Sequence, residues 1–313
     1  MDATESATSR SVRCSLARHK LMCETLRSPI IHPLCEGRCA ALTRSVRRFY
    51  SGYVDKEWTR FLRDPYHRLE FDTTLEFLRR YLPKDGLILD AGGGPGRYTI
   101  ELAKKGYDVV LLDYTPANLK FAKKQIEREG VGRKVKGIVE GSIVNLARFS
   151  DDSFDAVLCL GGPLSHVMRE HDREKAIAEL VRVARRNSPV FISVISRLGV
   201  LATELRYFQE EIQLPLFKRV RDEGDYFGER NFTSTHFFLP EELRKIIEMT
   251  KGVEVLEMVG LQGIGSVHKE EVNELAKNKR RWKVWMETHY KTCTHPSVVG
   301  LSEHMLAVCK KKG

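Results

Sequence analysis

The sequence predicts a doubly wound α/β fold on a mostly parallel seven-stranded sheet, and three observations carry that expectation. Short apolar runs alternate with helical stretches between residues 87 and 195, the rhythm of parallel strands joined by crossover helices. A glycine-rich turn, Gly92-Gly93-Gly94-Pro95-Gly96, separates the first run from the first helix. An acid, Asp113, closes the second run, 21 residues after Gly92.

The elements follow in order. Trp58, Phe61, Leu62, Tyr66, Leu69, Leu75, Phe77, Leu78 and Tyr81 recur at helical spacing up to Leu82-Pro83, which predicts one or two amphipathic helices ahead of the core. Leu87–Asp90 is a short buried strand. The glycine turn leads into a helix from Arg97 to Lys105, stopped by Gly106. Asp108–Asp113 is the second strand. Thr115 is placed to cap the next helix, with Pro116 at its first position, and that helix runs to Gly130. Val135–Val139 and Phe154–Leu160 are the third and fourth strands. Arg173–Arg186 puts Ile177, Leu180, Val181, Val183 and Ala184 on one face, and Val190–Ile195 is the fifth strand. Residues 198–238 then break the rhythm: they hold no clear strand and carry Tyr207, Phe208, Phe217, Tyr226, Phe227, Phe232, Phe237 and Phe238. A helix at Pro240–Glu248, strands at Val253–Val259 and Met305–Cys309, and a charged helical stretch over Glu270–His289 complete the chain.

This organisation divides the chain into a mobile leader or non-native extension (1–49), an N-terminal helical cap (50–84), a core (85–197), an insertion (198–238) and the rest of the sheet (239–313) with a helical insertion near 268–290. The front is compositionally distinct. It holds four of the seven cysteines, Cys14, Cys23, Cys35 and Cys39, and carries nine basic and four acidic residues. Its cysteine spacing lacks the paired Cys-x2-Cys knuckle of zinc sites, so no metal site is expected. Half of the net charge of +10 therefore sits in the leader, and the nearly balanced body is no obvious polyanion binder. No apolar run approaches membrane-spanning length, and an odd cysteine count without a secretory signal points to a reducing, cytoplasmic setting.

The glycine turn carries the chemistry. Glycines at 92, 94 and 96 let a ligand approach the backbone where a Cβ would clash, and a helix N-terminus favours electron-rich groups. The spacing Asp-x-Gly-x-Gly-x-Gly is not the Gly-x-Gly-x-x-Gly of dinucleotide binders, because position 97 is Arg. No Gly-Lys-Ser/Thr follows, so the loop is not a P-loop. A strand-end carboxylate at Asp113 can accept bonds from both hydroxyls of a ribose.

With these residues in place the sequence resembles the class I S-adenosylmethionine-dependent methyltransferases, from about Tyr66 to Val200 and again, weakly, from Pro240 onward. The resemblance implies that Leu87–Gly96, with Asp90, Ala91, Gly92, Gly93, Gly94 and Gly96, is the family's first motif. It implies that Asp113 and Tyr114 hold the ribose and that Ser142 and Ile143 stand by the adenine, where the family often has Gly-Asp. Leu160 and Gly161 are to face the cofactor's methionine amino group, and Arg68 its carboxylate. Asp151-Asp152-Ser153-Phe154-Asp155 matches the family's structural acidic turn. S-adenosyl-L-methionine is then the cofactor.

Methyl transfer from a sulfonium is an in-line displacement, in which the protein supplies alignment, desolvation and sometimes a base. His166 and His236 are the candidate bases; Cys159 is expected to be a buried, inert thiol. The aromatic and acidic insertion suits a lid over an apolar or amine-bearing small molecule and disfavours a phosphate-rich acceptor. A small-molecule acceptor is therefore expected, with nucleic acid and membrane partners not expected and the oligomeric state left open. Two alternatives are RNA or protein methylation, through the basic stretch Lys277–Lys283 with Trp282, and binding of the nucleoside without catalysis.

Overall fold

The computed structural model describes Leu42 and residues 44–313, and the cysteines of the front lie outside the described residues. Seven strands, β1 (Leu87–Ala91), β2 (Asp108–Asp113), β3 (Val135–Glu140), β4 (Ala156–Cys159), β5 (Pro189–Ile195), β8 (Val253–Gly260) and β9 (His304–Lys311), form one sheet. Their order is β3-β2-β1-β4-β5-β9-β8. The first five run parallel, while β9 pairs antiparallel with both β5 and β8. The doubly wound, mostly parallel sheet expected from the sequence is therefore present.

The apolar runs become strands because they are buried on both faces. Ile88, Leu89, Val109, Leu111, Val157, Leu158, Phe191 and Ile192 are all fully buried. One face packs Ile177 and Leu180 of the helix Glu170–Val183 and Leu243 and Ile247 of the helix Pro240–Met249. The other packs Phe71, Phe77 and Leu78 of the helix Pro65–Tyr81 with Tyr98 and Leu102 of the helix Arg97–Lys104. Pro65–Tyr81 begins sharply because the Asp64 side chain accepts the His67 amide and Pro65 stands at the first turn.

Several boundaries differ from expectation. The helix after β2 starts at Pro116 as predicted, yet the Thr115 side chain makes no capping bond. The helical cap is broken into Val54–Thr59, a short tight turn at Arg60–Leu62, and Pro65–Tyr81. Residues 44–51 are helical, so ordered structure crosses the expected boundary at 49/50. Phe49 stacks on Tyr53 with ring centroids 5.0 Å apart and meets Phe232 edge-on at 5.5 Å, which fixes that helix to the body.

The insertion folds as two helices, Arg197–Tyr207 and Pro215–Glu223, and an antiparallel pair, β6 (Asp225–Tyr226) with β7 (Thr235–His236). Two-residue strands are too short to show alternation, so no periodicity marks them. Val220, Tyr226 and Phe237 form a small satellite core with Ile195, Val200 and Leu216, whereas Tyr207 and Phe208 remain 42% exposed. No described helix is long and apolar enough to cross a membrane.

Strands β1 and β4 lie side by side at the point where the strand order reverses, and the loops at their carboxyl ends form a crevice. The sheet thus delivers the glycine turn, Asp113 and the loop after β4 to one place.

Candidate active site

The glycine turn is built for tight fit on one side and room on the other. Gly92, Gly94 and Gly96 all have left-handed backbones, with φ of +81°, +56° and +84°. A Cβ on Gly92 would lie 2.5 Å from Pro163 Cγ, and one on Gly93 2.5 Å from Asp90 Cγ. On Gly94, by contrast, the nearest atom would be Asn118 Nδ2 at 3.9 Å, so that face of the loop opens away from protein. The loop amides are not free, contrary to expectation. Gly92 and Gly93 both donate to the Leu112 carbonyl, Gly94 donates to Asp113 Oδ2 at 2.9 Å, and Gly96 donates to the Gly93 carbonyl. The glycines therefore serve close approach rather than anion capture.

Asp90 is fully buried below the turn. Its Oδ2 accepts the Thr99 hydroxyl at 2.6 Å, while its Oδ1 has no partner. Burial pushes its carboxyl up to about 6, against the pull of Thr99. Asp113 accepts from Gly94 N on Oδ2, and from Thr115 N at 2.8 Å and Asn118 Nδ2 at 3.1 Å on Oδ1. Burial raises its pKa and these bonds work against the rise. The carboxylate is thus oriented by its neighbours, the Thr115 side chain among them. Ala91, Ile143 and Leu160 are buried around the turn, and Ser142 Oγ accepts the Val144 amide at 3.2 Å. The guanidinium of Arg47 lies 5.5 Å from the Tyr114 ring centre.

The acidic turn is structural, as expected. Asp155 Oδ2 accepts the Leu87 amide at 2.7 Å, and Asp151 pairs with Arg182 at 2.7 Å, tying β4 to β1 and to the following helix. Cys159 is buried, and burial pushes its thiol up to about 12, consistent with an inert side chain.

The cation assignment needs correcting. Arg68 projects from the outer face of its helix, 47% exposed, and pairs with Asp72 at 2.9 Å. The guanidinium beside the loop after β4 is instead Arg60, whose Nη2 would lie 3.5 Å from a Cβ placed on Gly161. Arg60 pairs with Glu57 at 3.0 Å and with the buried Glu70. Burial opposes its charge, but those two carboxylates outweigh it. Sequence reasoning missed Arg60 because it sits in an irregular turn between helices, where no periodicity assigns a face. Gly161 itself has φ of +80°, and its amide donates to Ser193 Oγ at 2.8 Å.

The two histidines have different fates. His236 lies between Asp225 Oδ1 at 2.7 Å and Glu242 Oε1 at 2.6 Å, so both ring nitrogens are occupied. It clamps the β6–β7 pair onto the helix Pro240–Met249 and is not placed to act as a base. His166 is buried, and burial lowers its pKa to about 4, so the ring is neutral. Its Nδ1 faces the Ser234 carbonyl at 3.0 Å and its Nε2 faces the Tyr50 hydroxyl at 2.8 Å. A carbonyl only accepts, so Nδ1 carries the proton and Nε2 accepts from Tyr50. His166 therefore orients Tyr50 rather than facing the crevice itself.

Beyond Gly161 opens a cavity of about 420 Å³ lined by residues of the N-terminal helices, the insertion and β9. Tyr50, Tyr53, Phe217, Phe232 and Phe237 are among its walls, and Glu57, Arg60, Glu204, Glu211 and Glu303 among its polar groups. His166 and His236 are not. The basic stretch Lys277–Lys283 lies elsewhere: Trp282 packs against Tyr66, Leu69 and Val272, the inward face of a solvated helix.

Comparison with known proteins agrees with this geometry. Residues 88–187 match the family described as a methyltransferase domain. The glycine/sarcosine N-methyltransferase of Halorhodospira halochloris is 31% identical over 166 residues, covering 51% of this chain and 54% of its own. That of Aphanothece halophytica is 29% identical over 135 residues, 42% of this chain and 46% of its own. The chain thus spans about half the length of the curated relatives it matches. Among solved structures, a SAM-dependent methyltransferase of Methanosarcina mazei superposes with a TM-score of 0.52 at 19% identity, over 75% of this chain and 96% of that one. One from Thermotoga maritima gives 0.51 at 17% identity, over 86% and 100%. At these identities the likeness is one of fold.

Proposed function

We propose that this chain, whose residues 88–187 match a methyltransferase domain, is a class I S-adenosylmethionine-dependent methyltransferase and that it methylates a small molecule held in the cavity beyond Gly161. The observation that carries this reading is adjacency. One cavity reaches from Gly161, in the loop after β4, to walls contributed by the insertion.

The residues present suit S-adenosylmethionine. The open face at Gly94 gives room for a ligand against the backbone, and Asp113 is pre-oriented beside it to meet a ribose hydroxyl. The orphaned Asp90 Oδ1 supplies a buried acceptor beneath the turn. Arg60, beside Gly161, is the cation near enough to serve a methionine carboxylate, in place of Arg68. When bound, the cofactor supplies a methyl group on a positively charged sulfur.

The chain's own part is alignment and exclusion of water. Residues 198–238 act as a lid: Phe217, Phe232 and Phe237 wall the cavity and keep it apolar. Tyr50, fixed by His166, presents its hydroxyl oxygen as an acceptor at the cavity wall. Glu57 and Glu70 hold Arg60 at the mouth of the loop after β4.

Calorimetric titration tests the proposal. The account expects micromolar-range binding of S-adenosylmethionine and S-adenosylhomocysteine, none of NADH, and loss of both ligands in Asp113→Ala. Folded protein that binds neither ligand overturns it.

A further inference from the structure

The polar groups around the cavity are unbalanced. Its acids are Glu57, Glu204, Glu211 and Glu303, and its arginines are Arg60 and Arg230. Both arginines are already committed, Arg60 to Glu57, to Glu70 and, on the reading above, to the cofactor's carboxylate, and Arg230 to Glu211 at 3.1 Å. Glu303 accepts the Tyr66 hydroxyl at 2.8 Å, and His304 is bonded to the Gln262 amide at 3.0 Å. Tyr50 spends its hydrogen on His166 and offers the cavity a lone pair. Glu204 is different from all of these. Among the described residues its side chain has no hydrogen-bond or ion-pair partner, and its Oε2 is sealed from solvent with nothing to accept.

A sealed carboxylate oxygen in a cavity that Ile195, Leu216, Phe217 and Phe237 also line is costly unless a ligand completes it. The ligand that completes it must bring positive charge and N–H donors. An acceptor that brings a carboxylate meets no uncommitted arginine.

We infer that the cavity takes an organic amine, protonated in solution and carrying an apolar or aromatic body, and that Glu204 binds its ammonium group and removes its proton. The inference rests on the methyl-transfer reading above. It also separates this chain's acceptor from a small zwitterion, whose carboxylate would have no partner here and which would leave the apolar walls unfilled. The proton leaves the ammonium nitrogen for the Glu204 carboxylate. The freed nitrogen lone pair forms the bond to the methyl carbon while the carbon–sulfur bond breaks, its electron pair staying on sulfur as a neutral thioether. The methylated ammonium departs, and Glu204 loses its proton to solvent. Burial, together with Glu211 and Glu210 and against Arg230, raises the Glu204 carboxyl to about 7, within reach of a proton acceptor at neutral pH.

The test is calorimetric binding to the full chain preloaded with S-adenosylhomocysteine, using phenethylamine, phenylacetate and glycine as probes. The titration is run in mildly acidic buffers of differing ionisation enthalpy. Phenethylamine is expected to bind and to displace the proton from Glu204, while phenylacetate and glycine do not bind. Glu204→Gln should weaken the amine by at least about tenfold and abolish proton release, with S-adenosylhomocysteine binding intact as the check on folding. Glu204→Asp should retain proton release. The inference is overturned if wild type ignores phenethylamine, if phenylacetate or glycine binds in preference, or if the glutamine variant still releases a proton. Failure of S-adenosylhomocysteine to bind wild type would instead overturn the methyl-transfer reading.

Discussion

The Tyr50 hydroxyl donates to His166 Nε2 across 2.8 Å, joining the first described helix to the loop after β4. The His166 ring is neutral and anchored at its other nitrogen by the Ser234 carbonyl, so the pair acts as one unit that sets where the Tyr50 oxygen points. Removing one partner orphans the other in a buried place. Tyr50→Phe and His166→Ala are each expected to cost about 1–3 kcal/mol in urea unfolding, and the double variant less than their sum. Strict additivity would show that the bond does not contribute.

Arg60 sits between Glu57 and the buried Glu70, whose own exposure is 4%. Burial alone would raise the Glu70 pKa, but Arg60 and His304 outweigh it and the net shift is downward. Arg60→Met therefore strands a buried carboxylate and should cost about 3–5 kcal/mol by denaturant unfolding. Adding Glu70→Gln should recover part of that loss. Arg68→Met, on the exposed face, should change stability by less than about 1 kcal/mol.

His236 gives a pH signature. Burial lowers its pKa, but the hydrogen bonds to Asp225 and Glu242 outweigh that, and the net shift is upward. Glu242 is shifted down, with burial opposing and His236 and Arg197 prevailing. A histidine raised on folding contributes stability that is complete below its unfolded pKa and lost as pH rises through its folded one. A carboxylate lowered on folding contributes stability present above its unfolded pKa and lost as pH falls. The clamp is thus strongest between the ordinary values of the two groups, 4.5 and 6.5. The stability difference between wild type and His236→Gln should shrink as pH climbs above that window. A constant difference would contradict the clamp.

The glycine turn separates folding from binding. Gly93→Ala drives a Cβ into Asp90 and Leu111 and should lower Tm markedly. Gly94→Ala meets nothing closer than 3.9 Å and should cost about 1 kcal/mol for its backbone, yet weaken S-adenosylhomocysteine strongly. Equal losses of both properties in both variants would contradict the open-face reading.

Much of this was legible in the sequence, for identifiable reasons. The strands from Leu87 to Ile195 are buried on both faces, so apolar runs marked them directly. Gly92, Gly94, Gly96 and Asp113 stood at element ends, where spacing is informative. What escaped depended on tertiary neighbours. Arg60 and Arg68 differ only in which way each faces, and the irregular turn at Arg60–Leu62 hid the answer. His236 is consumed by Asp225 and Glu242, and nothing in the sequence marks them as its partners. Glu204 is one acid among many in the insertion until the fold seals its Oε2 with nothing to accept.

Methyl transfer itself is the most direct test of the central claim. Purified full chain is incubated with methyl-radiolabelled S-adenosylmethionine and a panel of small amines, phenols and acids, alongside RNA and a protein mixture. The account predicts label in a small-molecule product, lost in Asp113→Ala. Label appearing only in RNA or protein, or in nothing while the donor remains bound, would contradict it.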